Sequence, residues 1–198
     1  MPTNQSEIIH PRDAEAAVDA IRLPGKRVVT FLGFSGSGYE DPAAVRKTIE
    51  GVLAALDPGS HLINAGGTTA GIGMVYAIAK AGGFATAGIV SALAEKEQAE
   101  LSPDADRIFV IADDTWGGRT ANGTLSPTSA AMVLASVEIV AIGGDGIARD
   151  ELSAAKTLGT PVRYFPADMN HEAARQKARK KGEEEPQDFG GAARGIFV

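Results

Sequence analysis

Three glycine-rich turns are the residues of this sequence with the clearest capacity for binding chemistry. They read Phe34-Ser35-Gly36-Ser37-Gly38, Asn64 to Gly73 (NAGGTTAGIG) and Gly143-Gly144-Asp145-Gly146, and each follows an apolar run. Glycine lets a ligand approach the backbone closely, and the N–H groups at the start of a following helix attract anions. The turns therefore predict a phosphate-binding pocket for a nucleotide-type small molecule.

The residues expected to contact the ligand or its phosphate are the small and polar members of these turns. They are Gly33, Ser35, Gly36 and Ser37 in the first turn, Gly66, Gly67, Thr68, Thr69, Gly71 and Gly73 in the second, and Gly143, Gly144, Asp145 and Gly146 in the third. Two structural alternatives stay open. The glycines of the second turn could only permit tight packing of strand on helix, and the two serines could cap the next helix.

Two common nucleotide-binding motifs are absent from the turns. The dinucleotide fingerprint needs G-x-G-x-x-G, but Gly36-Ser37-Gly38 is followed by Asp41, and Gly71-Ile72-Gly73 by Tyr76, where a third glycine belongs. No turn carries the Gly-Lys-Ser/Thr of a P-loop either. Ordinary NAD oxidoreductases and P-loop hydrolases are thereby disfavoured.

Alternating strands and helices must position the turns. Apolar runs predict strands at 27–33, 62–65, 84–90, 107–112, 137–142 and 160–165, with helices at 12–21, 42–56, 71–81, 129–136 and 146–158 and a further one from 171. This order predicts an α/β fold, a parallel sheet with helices on both faces. Ligands bind beyond the carboxyl ends of such strands, where all three turns would lie.

The chain is expected to form one domain with two extensions. Residues 1–25 are predicted as an N-terminal helical extension, 26–170 as the domain, and 171–198 as a charged C-terminal tail consisting of a solvated helix and a flexible segment. Glu138 interrupts an apolar strand, which places it at a sheet edge or an oligomer contact, because burying an unpaired carboxylate is costly.

The long polar loop from Asp113 to Thr128 is typical of a lid or a binding loop. Trp116 could stack on a base and Arg119 could pair with a phosphate, or both could be ordinary surface residues. Asp113 and Asp114 could hold a ribose hydroxyl or magnesium, although turn formation is the more frequent role of Asp at such a position.

The three turns together resemble one family. RVVTFLGFSGSGYEDP is similar to the first strand and turn of the "Lonely guy" (LOG, lysine-decarboxylase-like) proteins of the SLOG superfamily of nucleotide binders. NAGGTTAGIGMVYAIAKAGGFATAGIVS resembles the family's GGGxxGLMG turn, helix and third strand, and AIGGDGIARDE lies where the family has PGGxGTxxE. The resemblance covers roughly Arg27 to Phe165 and implies a Rossmann-like single domain.

The activity that the resemblance implies is hydrolysis of the N-glycosidic bond of a nucleoside monophosphate. The family's catalytic glutamate falls on Asp150, with Glu151 beside it, and its Arg-Lys pair falls near Pro127 and Thr128, so that Arg119 is the candidate replacement cation. The candidate catalytic residues are therefore Asp150, Glu151 and Arg119. The two acids could instead complement the dipole of their helix.

The family's proline and threonine in the third turn are replaced by Ile142 and Ile147. These departures leave a non-catalytic sensor or binding module, for a nucleotide or an ADP-ribose-like ligand, as the alternative function. A third alternative is an interaction protein that kept the fold without its pocket. The resemblance also implies a homo-oligomer, paired through helices beside the site.

Composition narrows the remaining classes. The net charge of −6 argues against nucleic-acid binding, which needs a surplus of Lys and Arg, and the run from Arg175 to Lys181 is expected to be a solvated helix face. There are no cysteines, and the three histidines are widely separated, so no metal site and no cofactor are expected. Neither a secretory signal nor a membrane span is recognisable, which predicts a cytoplasmic protein without a membrane partner.

Overall fold

The computed structural model describes residues 6–22 and 25–197. The strands are β1 (Glu7–Ile9), β2 (Arg27–Gly33), β3 (His61–Ala65), β4 (Ala85–Ser91), β5 (Arg107–Ile111), β6 (Glu138–Ile142) and β7 (Val162–Phe165). The α-helices are α1 (Ala14–Ile21), α2 (Pro42–Ala54), α3 (Met74–Ala81), α4 (Leu93–Lys96), α5 (Pro127–Ala135), α6 (Gly146–Leu158) and α7 (His171–Lys181). Short 3₁₀ turns at Gly71–Gly73 and Ala192–Ile196 complete the elements.

The seven strands form one parallel sheet in the order β1-β5-β4-β3-β2-β6-β7. From β2 the chain adds β3, β4 and β5 on one side and then crosses over to place β6 on the other side of β2. Where the strand order reverses in this way, the connections diverge and leave a crevice beyond the carboxyl ends. The predicted α/β fold is confirmed, and it locates this crevice beside β2.

Both faces of the sheet are buried because side chains alternate along each strand. On β2, Val29 and Phe31 join the core formed with α2 and α3, whereas Val28 and Leu32 join the core formed with α1, α5 and α6. The continuous apolar sequence of β2, rather than an alternating one, is therefore explained by burial of both faces of this strand.

The N-terminal segment supplies a strand that the sequence pattern did not reveal. Residues Glu7–Ile9 pair with β5 at the edge of the sheet, ahead of the predicted helix α1. Three residues are too few to show an alternating pattern, which explains the omission. The division into 1–25, 26–170 and 171–198 stays a prediction.

The segment after α7 packs on the domain, so the expectation of a flexible segment there is wrong. The N–H of Ala193 donates to the carbonyl of Gly144 at 2.9 Å, and Ala193 is fully buried. Phe197 stacks on Tyr164 of β7 with 4.7 Å between ring centroids. Ala193 and Phe197, which lie within a largely polar stretch of sequence, therefore anchor this segment to the domain.

The expected position of Glu138 at a sheet edge is also wrong. It lies on β6, an internal strand between β2 and β7, and its carboxylate accepts a hydrogen bond from the Nε of Arg163 on β7. The cost of placing a carboxylate within a sheet is offset by this cross-strand cation rather than by an edge position.

Two helices near the crevice begin at capping residues. Asp41 accepts a hydrogen bond from the N–H of Ala44 at 2.9 Å before Pro42 opens α2, and Ser126 accepts from the N–H of Ser129 before Pro127 opens α5.

Among the described residues, none of the helices is both long and apolar enough to serve as a membrane span.

Candidate functional site

A cavity of about 540 Å³ lies beyond the carboxyl ends of β2, β3 and β4, in the crevice that the strand order creates. Residues of all three glycine turns line it, as do residues of α4, α5, α6 and α7. A volume of this size is within the range of small-molecule pockets. The turns therefore converge on a single space.

The predicted ligand residues divide into two groups. Those that line the cavity are Gly33, Ser35, Gly36, Ser37, Gly66, Thr68 and Asp145. Those that do not are Gly67, Thr69, Gly71, Gly73, Gly143, Gly144 and Gly146.

Most of the glycines outside the lining are required by protein packing. A Cβ on Gly73 would lie 2.0 Å from the carbonyl oxygen of Thr68, and one on Gly71, whose φ is +59°, would lie 2.1 Å from that of Phe34. Their neighbourhood is also satisfied internally, since the N–H of Gly67 donates to the hydroxyl of Tyr76 and that of Ile72 to the carbonyl of Phe34. For this part of the second turn, tight packing is the role that the geometry supports.

Gly36 and Gly66 behave differently. A Cβ at either position would meet nothing within 4 Å, and both residues line the cavity. These glycines leave free space next to exposed backbone, which a ligand can occupy.

Ser35 and Ser37 do not cap α2, because Asp41 does so. Both serines line the cavity, and neither hydroxyl has a hydrogen-bond partner among the described residues. Their hydroxyl groups are therefore available to a ligand, and the capping alternative is wrong.

Glu151 is the buried acid of the cavity, with a relative exposure of 4%. Its Oε1 accepts a hydrogen bond from the hydroxyl of Ser129 at 2.6 Å, and that hydroxyl oxygen in turn accepts from the N–H of Gly118 at 2.7 Å. Oε2 has no hydrogen-bond partner in the described part of the chain. The carboxyl group is thus held through one oxygen and open at the other.

Burial raises the pKa of Glu151 to about 7, against the opposing effect of the Ser129 hydrogen bond and with a further increase from the charge of Asp150. A carboxyl group with this pKa is divided between its acid and its carboxylate near neutral pH. Glu151 can therefore either donate a proton to a bound molecule or accept one from it.

Asp150 lies outside the lining, although the motif alignment favoured it. Its Oδ1 accepts from the guanidinium of Arg149 at 2.9 Å, and its Oδ2 accepts from the backbone N–H of Arg119 at 3.2 Å. Successive helical side chains point about 100° apart, so only one of two adjacent acids can face the cavity. The structure gives that position to Glu151.

The guanidinium of Arg119 does not line the cavity either. It is exposed and donates to the carbonyl of Gly123 within its own loop. Trp116 of the same loop does line the cavity, where it is 48% exposed at the mouth next to Ile147. The loop therefore offers an aromatic surface to the cavity and no cation.

Asp113 organises the base of this loop. Burial raises the pKa of Asp113, but hydrogen bonds from the N–H groups of Thr128 and Thr115 outweigh burial, so that the pKa is lowered overall. Asp113 is thus a turn-forming residue, and Asp114 lies outside the lining of the cavity.

The cation in the lining is Lys177, which the sequence pattern assigned to a solvated helix face. It belongs to α7 and lies 3.6 Å from Asp145. A usable signal was present, since Ala174 and Ala178 are the buried residues of α7 and Lys177 is on the flank of that face. Among the described residues, no other Lys or Arg lines the cavity.

The rest of the cavity is mainly apolar. Side chains from β2 and β4, from α5 and from the segments between these elements form this part, namely Phe31, Phe34, Ile72, Ile89, Val90, Leu101 and Met132. The charged residues are Glu100, Asp145, Glu151 and Lys177. An apolar volume with a few polar groups at its border suits a flat heteroaromatic ring that carries a polar substituent.

No cluster of three or more His, Asp or Glu side chains suited to a metal ion occurs in the described ranges 6–22 and 25–197.

No model of a protein family matches the chain, and no curated protein does either. Solved structures, in contrast, are similar to it.

The fold and the position of the cavity define a Rossmann-like α/β protein. The chain is similar to the X-ray structure of TM1055, with a TM-score of 0.50 and 22% identity over 69% of this chain and 72% of the other. It is also similar to the molybdenum cofactor carrier protein of Chlamydomonas reinhardtii, with a TM-score of 0.52 and 18% identity over 87% and 96%. The Rossmann-like fold that the resemblance to LOG-like proteins implied is confirmed.

Proposed function

We propose that the protein binds a nucleotide-derived small molecule in the cavity at the carboxyl edge of the sheet. The apolar part, with Trp116 at its mouth, would hold the heteroaromatic base. Ser35 and Ser37 supply hydroxyl groups, and Gly36 and Gly66 leave the space beside them open. Support comes from the convergence of these features in the crevice of a SLOG-type fold.

The reaction that best fits this site is hydrolysis of the N-glycosidic bond of a nucleoside monophosphate. Water attacks C1′ of the ribose while the bond from C1′ to the base nitrogen breaks, giving ribose 5-phosphate and the free base. The carboxylate of Glu151 would stabilise the oxocarbenium-like transition state and accept the proton of the attacking water. The departing base takes a proton from solvent water, and Glu151 returns its proton to solvent, so that one water is consumed overall. The observation that carries the proposal is the burial of Glu151 in the cavity, with one oxygen fixed and the other open.

The test is a comparison of the two adjacent acids. The protein is incubated with AMP, GMP, CMP and UMP, and released base is quantified by chromatography. Glu151→Gln should lower the rate by a factor of about 10² or more, whereas Asp150→Asn should retain most of it. Equal losses in the two variants would contradict the assignment, and release of no base by the unmodified protein would remove the hydrolase.

Binding without hydrolysis is the second candidate, and the surroundings of the acid favour it. The positions of the family's cationic pair hold Pro127 and Thr128, and the guanidinium of Arg119 lies outside the lining. The protein from Chlamydomonas reinhardtii with a similar fold is a carrier of the molybdenum cofactor. For a carrier or sensor of a nucleotide or ADP-ribose-like ligand, thermal-shift screening should show stabilisation while no base is released.

We further propose that the protein is a homo-oligomer, as its family resemblance implies. Leu134 on α5 is an exposed large apolar residue, at 50%, and is a candidate contact residue. Light scattering coupled to size-exclusion chromatography measures the mass directly. A mass of about 20.4 kDa at micromolar concentration would contradict this proposal.

A further inference from the structure

We infer that Lys177 binds the anionic group of the ligand. This inference rests on the proposed function, since it names a binding residue for the same cavity and the same nucleoside monophosphate. Lys177 lies on α7, beyond the stretch from Arg27 to Phe165 in which the motif resemblance is found. The cation of the site thus comes from outside the glycine turns.

The other candidate cations near the cavity are engaged elsewhere. The guanidinium of Arg119 donates to the carbonyl of Gly123, and that of Arg149 donates to Asp150. Neither Arg119 nor Arg149 is part of the lining. In the part of the chain that the structure describes, an anion in the cavity therefore has Lys177 as its cationic side chain.

Lys177 is held loosely enough to change partners. Its Nζ is 3.6 Å from Oδ2 of Asp145, and the side chains of the two residues are 53% and 47% exposed. An ion pair at this distance and exposure contributes little to stability. A phosphate can form a shorter, charge-assisted hydrogen bond with the ammonium group, so exchange from Asp145 to the ligand is favourable.

The N-terminus of α6 would strengthen the binding of the same anion. Asp145 occupies the N-cap position, but its side chain accepts no hydrogen bond from the first turn of this 13-residue helix. Ile147 and Ala148 of that turn line the cavity together with Lys177. Their end of the helix carries the positive part of its dipole. Glu151, buried and open at Oε2, marks the same cavity as a ligand site independently of these charges.

The acidic residues of the lining limit how much negative charge can enter. Glu100, Asp145 and Glu151 face the cavity with Lys177 as their single counter-charge among the described lining residues. A diphosphate or triphosphate would place further negative charge near these carboxylates without additional cations, and like charges repel. The expected order of affinity is therefore nucleoside monophosphate over nucleoside, and monophosphate over triphosphate.

The experiment is isothermal titration calorimetry with AMP, adenosine and ATP on the full chain. Lys177→Ala should weaken AMP binding by about tenfold or more, since a hydrogen bond to a charged group contributes about 1.5–3 kcal/mol, and should leave adenosine binding within about twofold. Lys180→Ala removes an exposed lysine of the same helix that does not line the cavity, and should change neither affinity.

A second variant removes the competing acid. Asp145→Asn should tighten AMP binding several-fold, because Lys177 no longer has to leave an ion pair. An unchanged ratio of AMP to adenosine affinity in Lys177→Ala overturns the inference while leaving nucleotide binding intact. Failure of the unmodified protein to bind any of AMP, GMP, CMP, UMP and adenosine overturns the proposed function itself, so that the two failures are distinguishable.

Discussion

The second and third glycine turns have similar compositions, yet the structure uses them differently. In the second turn, Gly71 and Gly73 lie against backbone carbonyls, and nearby N–H groups are bonded within the protein. The third turn leads into α6, whose first turn lines the cavity and whose Glu151 faces it. Glycine is needed in both turns because the protein itself approaches closely, since a Cβ on Gly143 would lie 2.5 Å from the ring of Phe34. The difference lies in the helix that follows, because only the third turn leads into a helix that brings an acid to the cavity.

This difference teaches that a glycine-rich turn marks a close contact rather than a phosphate. Gly66 shows the point within a single turn, because its Cβ position is open while that of Gly73 is filled. Whether a glycine can contact a ligand depends on whether the tertiary structure leaves free space beside its backbone. The predictions below separate packed from open positions and the lining acid from its neighbour.

The largest effect is expected from filling a packed glycine. Gly71→Ala should destabilise the protein by about 4 kcal/mol, because a left-handed backbone and a clash with the carbonyl of Phe34 add together. Chemical denaturation followed by circular dichroism measures this free energy of unfolding. Gly66→Ala is the matched control, and it should stay within about 0.5 kcal/mol while weakening AMP binding. Equal stability losses at the two positions would remove the distinction between packed and open glycines.

The next effect concerns Glu151 and pH. Its pKa is raised in the folded state from an ordinary value of 4.5 to about 7, so the folded state holds the proton more tightly than the unfolded state. Stability should therefore fall as the pH rises from about 4.5 to 7, by up to about 3 kcal/mol from this residue. Glu151→Gln should remove that slope in denaturation experiments over this pH range. A slope that persists in the variant would show that Glu151 is not its source.

A smaller effect is expected from the residues that adjust the pKa of Glu151. Ser129→Ala removes the hydrogen bond to Oε1 and should raise this pKa further, whereas Asp150→Asn removes a nearby negative charge and should lower it. Carboxyl chemical shifts from NMR titration report both changes. A purely structural role for Ser129 would lower stability without moving the pKa, and shifts of the same sign in the two variants would contradict the geometry.

The smallest effect belongs to the serines of the first turn. Ser35→Ala and Ser37→Ala should each change the free energy of unfolding by less than about 0.5 kcal/mol, because neither residue caps α2. Asp41→Ala should cost about 1 kcal/mol, since it removes the cap on Ala44. Thermal denaturation ranks the three variants. A larger loss for either serine than for Asp41 would return the capping role to the serines.

Much of the fold could be predicted because its signals are local. The apolar runs and the regular alternation of elements predicted six of the seven strands and their parallel arrangement. Strand β1 was missed because it is short and pairs with the distant strand β5. Glu138 was misplaced because its partner, Arg163, is on the next strand.

The site could be predicted in part for the same reason. Motif spacing identified the turns and the pair of acids, but it aligned the family's catalytic position with Asp150 rather than with Glu151. The rotation of α6 against α5 decides which acid is buried, and Ser129 completes that choice by donating to Glu151. Lys177 was outside every motif, because only the return of α7 over the sheet edge brings it to the cavity.

The sequence by itself determined the order of strands and helices, the three turns and the edge of the sheet at which they meet, because backbone propensities and side-chain periodicity act over short distances. The tertiary structure alone decided which glycines are packed, which acid enters the cavity and which cation accompanies it. These properties depend on the space and the charges that distant segments contribute to one place. The same glycine, acid or lysine can be structural or functional according to those neighbours.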